Sequence, residues 1–239
     1  MTEKLKIGVL LSGSGTNLQA IIDAIAHDDL PVEIVLVVSS RPDAYGIERA
    51  RAAGLSTLVL NREVYADALV ADERIVAALQ KAGAAYVVMA GYMRKVTSVI
   101  LTAFPNRVLN LHPALLPAFK GAHAIADAFA AGVKVTGVTV HFANEDYDKG
   151  PIVAQVAVQV HETDTLDSLE ARIHEVEHKL YPQVLRAIAQ GRVHVGEDGR
   201  VQVDGDLNAR APLSESERDE LHESASERLG GCESESECA

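Results

Sequence analysis

The chain has 239 residues, of which 48% are hydrophobic and 4% aromatic, and it contains no Trp. This length and composition suffice for one compact domain with an aliphatic core. The formal net charge of −12 argues against nucleic acid or an anionic membrane surface as the main partner, because both repel an acidic protein.

The first part of the chain alternates short apolar runs with segments of helical periodicity. The predicted strands are residues 5–11, 32–38, 57–60, 86–90 and 108–111. The predicted helices are residues 17–27, 44–53 and 67–82. Strands that alternate with helices indicate βαβ units, and strands that are apolar throughout indicate a sheet covered on both faces. We therefore expect an α/β fold with a Rossmann-like, mostly parallel sheet and helices on both faces.

The second part of the chain predicts an antiparallel extension of this sheet. Residues 137–142 and 152–160 alternate apolar and polar side chains, which is typical of a strand pair. A long amphipathic helix over 166–190 follows, and then a terminal hairpin over 193–203. We expect one domain over residues 1–205, with two halves that divide at about residue 105.

Residues 206–239 are rich in Ser and Glu and show no apolar periodicity, so we expect a disordered acidic tail. Both cysteines, Cys232 and Cys238, lie in this tail, and their spacing fits no zinc pattern. The start of the chain has no signal-peptide pattern, and no apolar run is long enough to span a bilayer. We therefore expect a cytoplasmic protein.

A glycine-rich loop, Ser12-Gly13-Ser14-Gly15-Thr16-Asn17, joins the first predicted strand to the first predicted helix. Glycines allow a ligand to approach the backbone, and the start of a helix attracts an anion such as phosphate. The loop is not a P-loop, since no Gly-Lys-Ser/Thr follows, and it lacks the third glycine of a dinucleotide fingerprint. An ordinary tight turn with a helix cap remains the alternative.

Polar residues that can carry chemistry follow the fifth predicted strand. Asn110 and His112 lie two residues apart, so on a strand their side chains share one face. An amide donor and an imidazole together can hold an oxyanion and exchange a proton. Asp148, in a loop bounded by Gly and Pro, can reach this face and favour the imidazolium form of His112. An ordinary turn residue at Asp148 and a strand residue that faces the sheet at His141 remain the alternatives, since the spacing excludes neither.

Five blocks of the sequence resemble glycinamide ribonucleotide transformylase, a family of folate-dependent formyltransferases. The blocks are SGSGTNLQAII, AGYMRKV, VLNLHPALLPAFKG, the stretch 137–160 and EHKLYP. They occur in the order of the family and cover residues 5 to about 205. The NLHPALLP block is shared with a wider formyltransferase superfamily and indicates the chemistry, whereas the glycine loop and the compact length favour the ribonucleotide enzyme.

The resemblance implies formyl transfer from the cosubstrate 10-formyltetrahydrofolate to the amine of glycinamide ribonucleotide, with no metal. It implies a mononucleotide-binding half over about 1–105 and a folate and catalytic half over about 106–205. The residues that it implies to be catalytic are Asn110, His112 and Asp148. The residues that it implies to bind the ribonucleotide are Gly15, Thr16, Asn17, His174 and Glu177. The residues that it implies to bind folate are Arg62, Met93, Arg94, Lys95, Val96, Asn110, Asn144 and Asp148.

The sequence departs from the family pattern at two places. The spacing from Arg62 to Arg94 is longer than usual, and Phe119-Lys120-Gly121 stands where some members have Tyr-Pro-Gly. Lys120 either adds a cation near the phosphate or is simply solvated. The acidic tail is not part of the family pattern.

Three alternatives are weighed against this interpretation. Methionyl-tRNA formyltransferase carries an added C-terminal RNA-binding domain, and formyltetrahydrofolate deformylase carries an added N-terminal domain. The short acidic C-terminus and a first strand that begins near residue 5 argue against both. A nucleotide-binding module without catalysis would not need Asn110, His112 and Asp148 together. We expect small-molecule substrates, no nucleic acid or membrane partner, and a monomer or a homodimer.

Overall fold

The computed structural model describes residues 3–28, 30–205 and 207. Residues up to Leu207 group into one unit. The expected disordered tail lies almost wholly outside the described residues, as do Cys232 and Cys238. The domain boundary at residue 205 and the division into two halves stay predictions.

Nine strands and six helices are present in the described part of the chain. The strands are β1 (Leu5–Leu11), β2 (Val32–Ser39), β3 (Thr57–Val59), β4 (Tyr86–Met89), β5 (Val108–His112), β6 (Val135–Phe142), β7 (Ile152–Gln159), β8 (Val193–Val195) and β9 (Val201–Val203). The helices are α1 (Thr16–His27), α2 (Gly46–Ala52), α3 (Ala68–Lys81), α4 (Ser98–Ala103), α5 (Ala124–Ala130) and α6 (Leu166–Ala189). A single 3₁₀ turn spans Val64–Ala66.

Seven of the strands form one sheet in the order β3-β2-β1-β4-β5-β6-β7. The first five strands in this order, β3-β2-β1-β4-β5, pair in parallel. Strand β6 pairs antiparallel with both β5 and β7. The remaining strands, β8 and β9, form the predicted hairpin. The prediction of a mostly parallel sheet with an antiparallel extension is confirmed.

Apolar layers cover the two faces of this sheet. One layer contains Leu18 and Ile21 of α1 together with Leu180 and Val184 of α6. The other contains Ile75 of α3 and further side chains from α3 and α4, namely Leu79 and Ile100. Helices therefore lie on both faces, as predicted. No helix in the part of the chain that the structure describes is long and apolar enough to cross a membrane.

Tyr181 of α6 joins the helix layer to the centre of the sheet. Its side chain is fully buried, and its hydroxyl lies 3.1 Å from the carbonyl oxygen of Met89 and 3.2 Å from that of Leu109. The hydroxyl donates to these carbonyls, which belong to the adjacent strands β4 and β5. A polar bond at this depth fixes α6 against the two strands that lead into the site described below.

We predict that Tyr181→Phe lowers the stability of the fold. The change removes the buried donor and leaves the two carbonyls without it, which costs about 1–2 kcal/mol. For a domain of this size the melting temperature should fall by roughly 2–4 °C per kcal/mol. Tyr45→Phe, at a position that is 61% exposed, is the matched control and should melt like the wild type. Equal melting temperatures for both variants would contradict the assignment.

Candidate active site

The carboxyl ends of β1, β4 and β5 meet at one edge of the sheet, where open α/β sheets bind ligands. Ser12, directly after β1, ties this edge together. Its backbone N–H donates to the carbonyl of Gly91, and its hydroxyl accepts from the N–H of Met93 at 2.9 Å. The Ser12 and Ser40 hydroxyls lie 2.6 Å apart. One residue thus links the loops that follow β1, β2 and β4.

The glycine loop ends at Gly15, which takes a left-handed conformation with φ of 72° just before α1. No side chain caps the start of α1, so its first N–H groups stay available to a ligand. A Cβ at Gly15 would lie only 2.6 Å from Cα of Gly46. Glycine is therefore required here by the backbone angle and by the packing of α2, in addition to any ligand.

A cleft of about 330 Å³, called here the first cleft, opens beside this loop. It is lined by all five residues that the resemblance assigns to the ribonucleotide, namely Gly15, Thr16, Asn17, His174 and Glu177. Other residues on its wall include Asn110, His112 and Glu170. The structure therefore brings the glycine loop and α6 together across one space.

Asn17 and Glu177 form a buried pair on the wall of the first cleft. Asn17 Nδ2 donates to Glu177 Oε2 at 2.9 Å, and burial raises the pKa of the Glu177 carboxyl despite this bond. Asn17 Oδ1 is buried and has no hydrogen-bond partner among the described residues. Nε2 of His174 lies 4.0 Å from Glu177 Oε2. The wall thus offers an imidazole to a ligand, and the buried pair behind it keeps one acceptor without a partner among the described residues.

A second, narrower space, called here the slot, lies on the other side of Asn110. It is lined by six of the residues that the resemblance assigns to folate, namely Arg94, Lys95, Val96, Asn110, Asn144 and Asp148. Its internal volume is only about 30 Å³, which leaves room for about one or two water molecules.

Two residues assigned to folate lie elsewhere. Met93 lines the first cleft and is 63% exposed, and Arg62 is exposed and lines neither space. The Arg94 guanidinium stacks 4.0 Å from the centre of the Tyr65 ring, three residues beyond Arg62. The role of Arg62 in folate binding stays a prediction.

The three residues predicted to be catalytic lie where the two spaces meet. Asn110 lines both spaces, His112 lines the first cleft, and Asp148 lines the slot. Nδ1 of His112 lies 3.6 Å from Asp148 Oδ2, and both side chains are almost fully buried. The sequence prediction that Asp148 reaches the face of β5 is consistent with this placement.

His141 of β6 completes this cluster, and the sequence analysis missed it. It pairs with Asn110 across the antiparallel strands, and its Nε2 lies 3.1 Å from Asn110 Nδ2 and 3.7 Å from Asp148 Oδ1. Its Nδ1 must donate to the carbonyl of Phe142, because a carbonyl can only accept. In the neutral ring Nε2 then accepts from Asn110. His141 therefore fixes the orientation of the Asn110 amide and leaves its second N–H free.

The protonation of His112 follows from its neighbours in the same way. Its Nε2 lies 2.8 Å from the Phe119 carbonyl and must donate to it, so the neutral ring turns an unprotonated Nδ1 towards Asp148. Burial lowers the pKa of His112, and this outweighs the raising effects of the Phe119 carbonyl and the Asp148 charge. In the neutral ring Nδ1 of His112 carries no proton. The carboxylate of Asp148 is placed to stabilise a proton there when the ring gains one.

Asp148 remains charged in this environment. Burial alone would raise the pKa of its carboxyl, but the Gly121 N–H and the positive charge that the two imidazoles carry when protonated outweigh it and lower the pKa. The Gly121 N–H donates to Asp148 Oδ2 at 3.0 Å. Asp148 itself has a left-handed backbone with φ of 51°, which Asp and Asn tolerate better than most residues. The arrangement can shift a proton or support an oxyanion. No group of three or more His, Cys, Asp or Glu side chains in the described ranges could hold a metal ion.

The fold and the site define an α/β protein that binds its ligands at the carboxyl edge of a parallel sheet, with an amide, two imidazoles and a carboxylate between two spaces. The chain belongs to the formyl transferase family, whose model matches residues 5–185. It is therefore a formyltransferase by family.

Named relatives cover most of the chain. Phosphoribosylglycinamide formyltransferase of Bacillus subtilis is 38% identical over 77% of this chain and 94% of its own length. The trifunctional purine biosynthetic protein adenosine-3 of Bos taurus is 39% identical over 83% of this chain, which spans only 20% of that protein. The crystal structure of glycinamide ribonucleotide transformylase 1 from Symbiobacterium toebii is 46% identical, with a TM-score of 0.82, and the match covers 86% of this chain and 96% of that one.

Proposed function

We propose that this chain transfers the formyl group of 10-formyltetrahydrofolate to the amine of glycinamide ribonucleotide. The products are N-formylglycinamide ribonucleotide and tetrahydrofolate, a step of purine synthesis. The observation that carries this proposal is the position of Asn110, which lines both spaces at once, with His112 on one side and Asp148 on the other. Two substrates that occupy these spaces can react only at this junction.

The first cleft suits the ribonucleotide. The uncapped start of α1 and the glycine loop attract a phosphate group. The carboxyl of Glu177 on the cleft wall is an acceptor, which suits a hydroxyl or amine donor. The cleft volume of about 330 Å³ lies within the range of small-ligand sites.

The slot suits the folate by its chemistry. Its wall combines apolar side chains such as Val96 and Ala143 with the polar groups of Asn144 and Asp146. A flat heterocycle with donors and acceptors on its edge needs both kinds of contact. Because the slot holds about one or two water molecules in this conformation, its walls have to separate before the ring enters. The folate supplies the formyl group and the nitrogen that leaves.

The chain contributes positioning and charge rather than a covalent nucleophile. The amine attacks the formyl carbon directly, and the free N–H of Asn110 donates to the formyl oxygen as it gains negative charge. The proton that the amine loses passes by way of Asp148 to Nδ1 of His112, which is in the imidazolium form while the oxyanion exists. The same proton then passes to the folate nitrogen that is released when the carbon–nitrogen bond breaks.

The proposal is tested by an assay of acceptor dependence. Purified protein is mixed with 10-formyltetrahydrofolate, and tetrahydrofolate and the acceptor mass are followed with and without glycinamide ribonucleotide. We expect both folate release and a formyl adduct of the ribonucleotide only when the ribonucleotide is present. Equal folate release without any acceptor would instead indicate a deformylase. Formylation of methionyl-tRNA, but not of the ribonucleotide, would indicate the other alternative.

We predict that His112→Ala and Asp148→Asn each lower kcat by about 10²–10³, with little change in either KM. The charge that these residues stabilise exists mainly in the transition state, so binding of the neutral ground-state groups loses little. Asn is the informative change at 148, because it tolerates the left-handed backbone and keeps an acceptor for the Gly121 N–H. Steady-state kinetics with both substrates varied measures the effect.

The control and the double variant make this prediction specific. His161→Ala, at an exposed position, should keep wild-type kcat. The double variant His112→Ala with Asp148→Asn should be little slower than the slower single variant, since the two residues act as a unit. A His112→Ala variant with near-normal kcat would show that His112 is only a structural residue at the end of β5.

A further inference from the structure

The glycine loop is held from behind by groups that do not line the first cleft. The N–H of Gly46, the first residue of α2, donates to the carbonyl of Gly13 at 3.0 Å. Nε of Arg49, one turn further along α2, donates to the carbonyl of Ser14 at 2.9 Å. The carbonyl of Gly15 accepts from the N–H of Gln19. Three consecutive carbonyls of the loop are thus bonded, two of them by α2.

This pattern determines which backbone groups a ligand meets. Within the described part of the chain, the N–H groups of residues 13 to 17 donate no hydrogen bond to the protein. A loop binds an anion when its N–H groups are free and its carbonyl oxygens, which repel the anion, are engaged elsewhere. The bonds from α2 meet the second condition at Gly13 and Ser14.

The charged residues that line the first cleft show why the positive charge of Arg49 matters for a phosphate ligand. The cleft is lined by the carboxyl groups of Glu170 and Glu177, and no Lys or Arg is among its lining residues. A phosphate dianion in this cleft therefore gains no direct contact with a permanent cation there. Arg49 places such a cation directly behind the backbone that the phosphate contacts.

The Arg49 side chain is held in place on several sides. Its Nη1 lies 3.3 Å from Gln19 Oε1, and its guanidinium lies 5.1 Å from the centre of the Tyr45 ring. Nε donates to Ser14 and Nη1 donates to Gln19, so the planar guanidinium contributes the geometry of its several donors as well as its charge. A lysine has one nitrogen and cannot reproduce both bonds in this geometry.

We propose that Arg49 is a positioning residue for the phosphate group of the substrate. It holds the Ser14 carbonyl away from the first cleft and supplies the permanent positive charge of the phosphate site. It acts through the glycine loop and does not itself touch the reacting atoms. The proposal rests on the proposed function for the identity of the substrate, but phosphate binding can be measured without it.

The test compares Arg49→Gln with Arg51→Gln on the same helix. Arg51 is exposed and pairs with Glu48 at 2.8 Å, so its loss removes an equal charge without touching the loop. Binding of ribose 5-phosphate and of inorganic phosphate is measured by calorimetry on the unliganded protein. We expect Arg49→Gln to weaken both affinities about tenfold or more, since a bond to a charged group and its charge are lost together. Arg51→Gln should change neither affinity by more than about twofold.

Kinetics separates positioning from a general loss of structure. In the formyl-transfer assay, Arg49→Gln should raise the KM for the ribonucleotide by about the same tenfold factor. The kcat and the KM for folate should stay within about twofold of wild type. An equal rise in both KM values would overturn the proposal, as would wild-type phosphate affinity in Arg49→Gln.

Arg49→Lys decides the matter if the Gln variant does not fold. Lysine keeps the charge but cannot donate to both Ser14 and Gln19, so the phosphate affinity should fall severalfold. Wild-type phosphate affinity in this variant would overturn the role of the Ser14 bond. If the wild-type protein binds ribose 5-phosphate but does not formylate the ribonucleotide, the proposed function fails. The assignment of Arg49 is then still decided by the binding data.

Discussion

The Asp148 carboxylate is almost fully buried, and it faces His112 of β5 and His141 of β6 while it accepts the N–H of Gly121. A buried charge is stable only when its neighbours compensate it. The loop amide donates to the carboxylate directly, and each imidazole compensates its charge when the ring nitrogen that faces it carries a proton; the three groups come from three separate parts of the chain. The carboxylate therefore ties the end of β5, the strand β6 and the loop near Gly121 into one arrangement.

The same constraint explains why the site lies where the sheet changes direction. The parallel pairing of β4 with β5 places Asn110 and His112 at the carboxyl edge, beside the loops that follow β1 and β4. The antiparallel return through β6 and β7 then brings His141 opposite Asn110 and delivers the loop with Asp148 to the same point. An all-parallel sheet would need a long crossover to bring a carboxylate back to this edge.

Much of this arrangement was predictable from the sequence, because local patterns report local structure. Apolar runs that alternate with helical periods indicated the strands and the long helices, and each lies within two residues of its predicted bounds. The helices α4 and α5 were missed, because six or seven residues show a helical period only weakly; among the helices this short only α2, also of seven residues, was predicted. The resemblance placed the ribonucleotide residues on one cleft, whereas it did not show that Met93 lies on that cleft and not in the slot.

The contacts that the sequence did not reveal join residues that are distant along the chain. His141 orients the Asn110 amide only because of the strand register, which no local pattern encodes. The need for glycine at position 15 seemed to concern a ligand, and the structure adds the close approach of Gly46. The pKa of His112 is also a balance of burial against charge, and a sequence reports neither distance nor burial.

The central claim is that Asp148 favours the proton on His112 against the cost of burial. Its most direct test is a pH titration of ¹⁵N-labelled histidines by NMR, on the unliganded wild-type protein and on Asp148→Asn. In the wild type the pKa of His112 should lie below the ordinary value of 6.5. In Asp148→Asn it should lie lower still, because burial remains while the favourable charge is gone. A His112 pKa in the variant that equals or exceeds the wild-type value would contradict the account.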